Sequence, residues 1–289
     1  DAIIVHFAKR PIKKLSSMVV EILRLGVYQI IYMDKVPESA AVNESVKLAK
    51  KLTRGLSGFV NAILRSVIRE QDSIGIEDLA ANDIEAISFI YNIPLWLINL
   101  WISEFGRDKT EDLCAWFNEQ PKLTARINTI LIDIPQCLTM LNEQGWAVTQ
   151  DSNYEDIIYI NSHRGSLEKS EAFIKGYITF MDKASMLVAR LVNPQPGERI
   201  LDCCAAPGGK SMYMAALMDN VGSLMSCDIH EHKIELMNSN AERLGASIVH
   251  TKVQDATKLP DSWNSYFDRV LVDAPCSGLG ILQKKLDMR

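Results

Sequence analysis

The sequence predicts a multidomain chain: an all-α amino-terminal part, a small α+β subdomain, and an α/β Rossmann-like domain built on a parallel sheet. Three observations carry this reading. Apolar residues recur at spacings of three and four through the first 120 residues. Short β-rich runs then surround one helical pattern up to about residue 180, and from residue 198 strand, glycine turn, helix and strand alternate. The expected divisions are 1–70 helical, 71–120 a helical linker, 121–180 the subdomain and 181–289 the α/β core.

Composition supports folded domains. The 289 residues, 47% hydrophobic and 23% charged, suffice for more than one core. No run approaches the roughly 18 apolar residues of a membrane helix, and the start "DAIIVHFAKR" lacks the parts of a signal peptide. The expected location is cytoplasmic, with no membrane partner. The six cysteines include the adjacent pair Cys203 and Cys204 but no CxxC or Cys/His spacing, so reduced thiols are expected, with no metal. Nothing points to an obligate interface, and a monomer is expected.

The net charge of −5 conceals an asymmetry. Residues 1–69 hold twelve Lys and Arg against five Asp and Glu, leaving nineteen against thirty-one for the rest. A basic segment joined to an acidic body suggests a polyanion-binding surface; solvated lysines are the plainer alternative.

The helical part opens with "LSSMVVEILRLGVYQIIYM". It continues with "VPESAAVNESVKLAKKLTRG", where Pro37 starts a helix and Gly55 ends it. In this second helix Val42, Val46 and Ala49 share one face, while Lys47, Lys50, Lys51 and Arg54 share another. A third helix, "GFVNAILRSVIRE", adds Arg65 and Arg69. Such a stripe can bind phosphates or simply be solvated. Trp96, Trp101 and Trp116 are expected to pack between helices. In the subdomain, "PKLTARINT", "IIYI" and "AFIKGYITF" read as β-rich around the helix "IPQCLTMLNEQG".

In the α/β part, "ERILDCC", "GSLMSCD", "SIVHTKVQD" and "DRVLVDAP" are strands. "SMYMAALMD" and "HEHKIELMNSNAERLG" are helices, the latter ending at Gly245. Ligands are expected at the carboxyl ends of the strands, where Asp202, Asp228, Asp255 and Asp273 sit. The turn "DCCAAPGGK" is neither GxGxxG nor a Walker loop, but Gly208 and Gly209 let a ligand approach the backbone. Asp228, twenty residues after Gly208, is placed for ribose hydroxyls and implies adenosine; capping the helix near His230 is the plainer alternative and is compatible with this. Asp255 would lie near the adenine edge.

These residues carry a resemblance. "FMDKASMLVARLVNPQPGERILDCCAAPGGKS", "CDIHEHKIELMNSNAERLG", "VQDAT" and "FDRVLVDAPCSGLGILQKKLDMR" resemble successive motifs of the S-adenosylmethionine-dependent RNA cytosine-5 methyltransferases. The similarity is greatest to the bacterial 16S rRNA enzymes of the RsmB/Sun/Fmu family. "EILRLGVYQIIYMDKVPESAAVNESVKLAKK" with "GFVNAILR" resembles the family's NusB-like RNA-binding domain, and "IPLWLINLWISEFG" with "PKLTARIN" its linker and the start of its catalytic region.

The resemblance implies that Cys204, Ala205, Ala206, Pro207, Gly208, Gly209 and Lys210, with Asp228, Asp255 and Asp273, surround S-adenosylmethionine and the target base. It makes Lys47, Lys50, Lys51, Arg54 and Arg65 an rRNA surface on the small ribosomal subunit's RNA. It also implies addition of a cysteine thiolate to cytosine C6, methylation at C5 and expulsion of the thiol, on a base taken out of its stack. Asp273 would hold the polar edge of cytosine, and Lys210 would support the charge. Pro275 and Cys276 match the Pro-Cys motif whose cysteine assists breakdown of the adduct. The nucleophile belongs to a later Thr-Cys-Ser motif.

Several departures accompany the match. The sequence contains no Thr-Cys-Ser, nor the three further strands of a complete sheet. It begins at Asp1 without Met and ends at Arg289 inside a motif, so a fragment with an incomplete sheet is expected, its fourth strand exposing an unpaired edge and an apolar face. Leu286 stands where the family usually has Pro, and "MDKAS" replaces a Gln-Asp start, leaving Asp182 and Ser185 as matched positions. Two other readings stay open. An amino-methylating enzyme would carry Asp/Asn-Pro-Pro-aromatic, which "DAPCSG" argues against. An RNA-binding NusB-like module with a non-catalytic remnant would show salt-dependent RNA binding without cofactor binding.

Overall fold

The computed structural model describes residues 1–71, 73, 75 and 79–288. The linker expectation at 72, 74 and 76–78, and the end at Arg289, lie outside the described residues. The chain forms two compact units, Asp1–Glu119 with Gly280–Arg289, and Gln120–Leu279.

The first unit is helical: α1 (Ala2–Ala8), α2 (Ser17–Tyr32), α3 (Glu38–Leu52), α4 (Ser57–Glu70), α5 (Asp83–Tyr91), α6 (Leu95–Phe105) and α7 (Arg107–Asn118). Val19, Leu23 and Val27 of α2, Val42 and Ala49 of α3, and Val60, Leu64 and Val67 of α4 form its core. These are the i, i+3, i+4 positions of the sequence pattern. Gly26 lets α2 come close to α4, because a Cβ there would lie 2.7 Å from Leu64. Asn82 caps α5 by accepting from the Ile84 and Glu85 amides.

Two expectations change here. Helix α3 ends at Leu52 because Thr53 is extended, so Arg54 lies beyond the helix and off its stripe. Trp101 is buried and stacks on Phe117 at 5.5 Å, whereas Trp96 and Trp116 are 61% and 47% exposed. They lie on the solvent side of their helices, although Trp116 still meets the Phe117 edge.

The second unit begins with β1 (Leu123–Ile127), α8 (Ile134–Glu143), β2 (Ala147–Gln150), β3 (Ile157–Ser162), α9 (Glu171–Ile174) and β4 (Ile178–Phe180). Its antiparallel sheet has the order β2-β3-β1-β4. The run "AFIKGYITF" is β only at its end. Ser170 Oγ accepts from the Phe173 amide and starts the short α9, and Gly176 at φ 74° turns the chain into β4.

Then follow α10 (Lys183–Val192), β5 (Arg199–Asp202), α11 (Gly209–Leu217), β6 (Ser223–Asp228), α12 (Glu231–Arg243), β7 (Val249–Val253) and β8 (Arg269–Leu271). The parallel sheet has the order β7-β6-β5-β8, with the order of strands reversing between β5 and β8. Among the described residues β8 pairs only with β5, and Val270 and Val272 are 54% and 61% exposed. This is the open edge and apolar face expected of the fourth strand.

The two sheets are joined by specific contacts. Asn128 donates to the Gly176 and Leu244 carbonyls, both at 2.9 Å. Gly176 comes so close to the end of α12 that a Cβ would sit 2.0 Å from the Arg243 carbonyl oxygen. Arg243 lies over the Phe173 ring at 4.2 Å. A polar cluster of Asp156, Tyr213 and Arg190 makes a second junction, with Arg126 beside it.

Candidate active site

Strand β5 delivers Asp202 to the start of the glycine turn. The Cys203 amide donates to Leu271 of the β8 side at 2.9 Å, and the Ala205 amide to Cys227 of β6 at 2.8 Å, so the turn is sewn to both neighbouring strands. Gly208 follows at φ 97°, a conformation open to glycine. A Cβ there would also crowd Met212 at 3.1 Å and Met237 at 3.4 Å. Asn240 of α12 donates to the Pro207 carbonyl at 3.1 Å, fixing the turn from the other side.

Helix α11 then starts at Gly209. Its first turn presents Lys210, whose ammonium lies 2.5 Å from the Asp273 carboxylate, beyond the end of β8. This ion pair joins the glycine turn to the "DAPCSG" loop, although the two residues are 63 positions apart in sequence. Cys276, in the same loop, is exposed.

Asp202 is 1% exposed. Its Oδ2 accepts from Ser211 Oγ at 2.7 Å, while Oδ1 has no hydrogen-bond partner in the chain. Burial pushes its carboxyl up to about 6, against the lowering effects of Ser211, the Cys204 amide and Lys210. Sequence reasoning placed Asp202 at a strand end but gave it no role, and Ser211 and Asn240 carried no signal.

Asp228 ends β6 and is 7% exposed. Its Oδ1 accepts from the His230 amide at 3.0 Å and lies 3.5 Å from Lys233. The carboxylate therefore does brace the start of α12, and ribose binding would use its other oxygen. The neighbouring Ile229 is 59% exposed, an apolar surface beside the acid that the sequence reading passed over. Asp255, two residues beyond β7, folds back on its own loop, accepting from the Thr257 amide at 2.9 Å and hydroxyl at 2.7 Å. These bonds hold its carboxyl below the usual range.

The other cysteines of the turn are poor nucleophiles. Burial pushes the Cys203 thiol up to about 11, and burial with the nearby carboxylates raises Cys204. Among the described residues no group of three His, Cys, Asp or Glu could hold a metal ion.

The basic residues of the helical unit are exposed. Lys47 is paired with Glu44 at 2.6 Å, and Arg65 donates to Asn61 at 3.1 Å. Lys50 and Lys51 continue the α3 face, without Arg54.

Three family models match consecutive parts of the chain: the NusB family over residues 1–69, the RsmF/B-like ferredoxin-like domain over 93–165, and the 16S rRNA methyltransferase RsmB/F over 189–289. The probable ribosomal RNA small subunit methyltransferase B of Bacillus subtilis is 36% identical over 291 residues, covering 100% of this chain and 64% of that protein. The protein of the same description from Synechocystis is 36% identical over 299 residues, covering 100% and 65%. The chain thus spans just under two thirds of the length of these curated relatives. Among solved structures, PH0851 matches with a TM-score of 0.74 at 24% identity, covering 100% of this chain and 64% of that one. That likeness concerns the fold. The helical NusB-like unit, the ferredoxin-like sheet and the glycine turn at the parallel sheet's switch point agree with the three matches, and the chain is similar along its whole length to proteins of the 16S rRNA methyltransferase RsmB/F family.

Proposed function

We propose that the site serves methyl transfer to C5 of a cytosine in small-subunit rRNA. The observation that carries this reading is the Lys210–Asp273 pair, which puts the glycine turn and the Pro-Cys loop into one site. The residues suit the cofactor. Gly208 lets the turn take its left-handed bend, Asp228 keeps one oxygen for ribose, and exposed Ile229 offers an apolar surface to adenine. Cys204 to Lys210 and Asp228 would hold it, with Asp255 on the adenine side. When bound, S-adenosylmethionine supplies an electrophilic methyl group.

The chain's own residues prepare the base. Asp273 accepts hydrogen bonds from the polar edge of cytosine, and Lys210 orients and neutralises that carboxylate. Cytosine C5 becomes nucleophilic when a thiolate adds to C6. Once the C5 proton has left, the electron pair restores the double bond and expels the thiolate. Cys276 assists this last step from the Pro-Cys loop, and the attacking thiol is that of the family's separate Thr-Cys-Ser motif. The exposed cations of α3 and Arg65 contact rRNA phosphates.

The test is a denaturing gel of protein of the full length of its curated relatives, incubated with labelled small-subunit rRNA and cofactor. Cys276→Ala should accumulate a protein–RNA adduct that the unsubstituted chain does not. Loss of methyl transfer with no retained RNA would contradict the role given to Cys276.

A further inference from the structure

The excess charge of the helical unit is concentrated away from α3. Residues 9–14, "KRPIKK", contain four cations and no acid, which is +4 of the net +7 carried by residues 1–69. No acidic residue occurs between positions 2 and 20. All four side chains, Lys9, Arg10, Lys13 and Lys14, are exposed. Three other cations of residues 1–69 are paired with acids: Arg24 with Asp1 and Glu21, Lys47 with Glu44, and Arg69 with Glu70. Among the described residues none of the four in 9–14 belongs to an ion pair.

The segment is also held in place. Lys9 ends α1 in the left-handed conformation at φ 50°, its amide donating to the Val5 carbonyl. Ile12–Lys14 forms a 3₁₀ turn, with the Lys14 amide bonded to Pro11 and the Leu15 amide to Ile12, both at 2.9 Å. Ile12 and Leu15 pack against the helical core, so Lys13 and Lys14 are directed outward between two apolar anchors. A helix end favours one nearby cation, but four within six residues repel each other and gain nothing from the fold. Their clustering is favourable only against a dense polyanion.

We infer that Lys9, Arg10, Lys13 and Lys14 form a phosphate-binding turn for the RNA backbone, separate from the α3 face. This rests on the RNA-methyltransferase reading and deepens it. Being on backbone phosphates, the contact positions the RNA without reading its sequence.

The experiment titrates the chain with a protein-free 16S rRNA transcript in KCl between about 50 and about 200 mM, where released counterions set the slope of log K against log salt. Replacing all four residues by Gln should reduce that slope by about 3, at roughly 0.7–0.9 per cation, and weaken binding at least about tenfold at the lower salt. Lys13→Gln and Lys14→Gln alone should each reduce it by about 0.7–0.9, a graded loss that misfolding would not produce. An unchanged slope in variants that keep the parent's unfolding transition overturns the proposal and leaves the methyltransferase reading intact. If the unsubstituted chain shows no salt-dependent RNA binding, both fall.

Discussion

The Tyr213 hydroxyl donates to Asp156 Oδ2 at 2.6 Å and accepts from Arg190 Nε at the same distance. Tyr213 lies on α11, one turn beyond Lys210, and Asp156 lies just before β3. The helix that follows the glycine turn is thus anchored to the antiparallel subdomain. Arg190 closes the triangle by an ion pair with Asp156.

Removing that hydroxyl leaves two buried or half-buried partners unsatisfied. Tyr213→Phe should destabilise the chain by about 1–3 kcal/mol, read from urea unfolding. A change below about 0.5 kcal/mol would show that the triangle does not anchor α11.

Arg126 predicts the opposite sign. It is fully buried against the Tyr213 ring at 5.1 Å, and none of its three guanidinium nitrogens has a hydrogen-bond partner in the chain. Burial lowers its pKa to about 10. A charge so poorly compensated costs stability, so Arg126→Met should unfold at the same or higher urea concentration. Destabilisation of more than about 2 kcal/mol would instead make its cation–π contact dominant.

Two carboxylates set the pH response. Asp202 is raised to about 6, so the folded chain holds its proton more tightly than the unfolded one; stability from this group is full below the unfolded value and lost as pH rises through about 6. Asp151 is lowered to about 2, chiefly by its bond from Lys183, with the Asn153 amide and Tyr159 adding to it. Its contribution is present above the unfolded value and lost as pH falls through about 2. Urea midpoints measured across pH should therefore fall between about 4 and about 6, and Asp202→Asn should remove that fall. A variant curve with the same slope there would contradict the assignment to Asp202.

Gly208→Ala places a side chain at φ 97° and 3.1 Å from Met212. The expected cost is about 1–3 kcal/mol, with a larger proportional loss of S-adenosylmethionine binding by calorimetry. Unchanged cofactor affinity would remove the turn from the binding site.

Much of this arrangement was legible in the sequence because it is local. The alternation after residue 198 gave the parallel strands, and "DCCAAPGGK" marked the turn by its paired glycines. Helix α3 was readable too, but Gly55 marks its end too late, since Thr53 leaves the helix first. "AFIKGYITF" has strand composition, yet the Ser170 cap made its start helical. What was hidden is pairing across distance. Asp273 with Lys210, and Asp156 with Tyr213, come together only once the strands are ordered. Asp202 looked like any strand-end acid until its burial was known.

In the proposed function the glycine turn and the Pro-Cys loop form one site for cytosine C5. The decisive measurement is mass spectrometry of nucleosides from protein-free small-subunit rRNA treated with S-adenosylmethionine and protein of the full length of its curated relatives. The expected product is 5-methylcytidine, reduced at least about tenfold by Asp273→Asn. A methyl group on the cytosine amino nitrogen, or on another base, would contradict it.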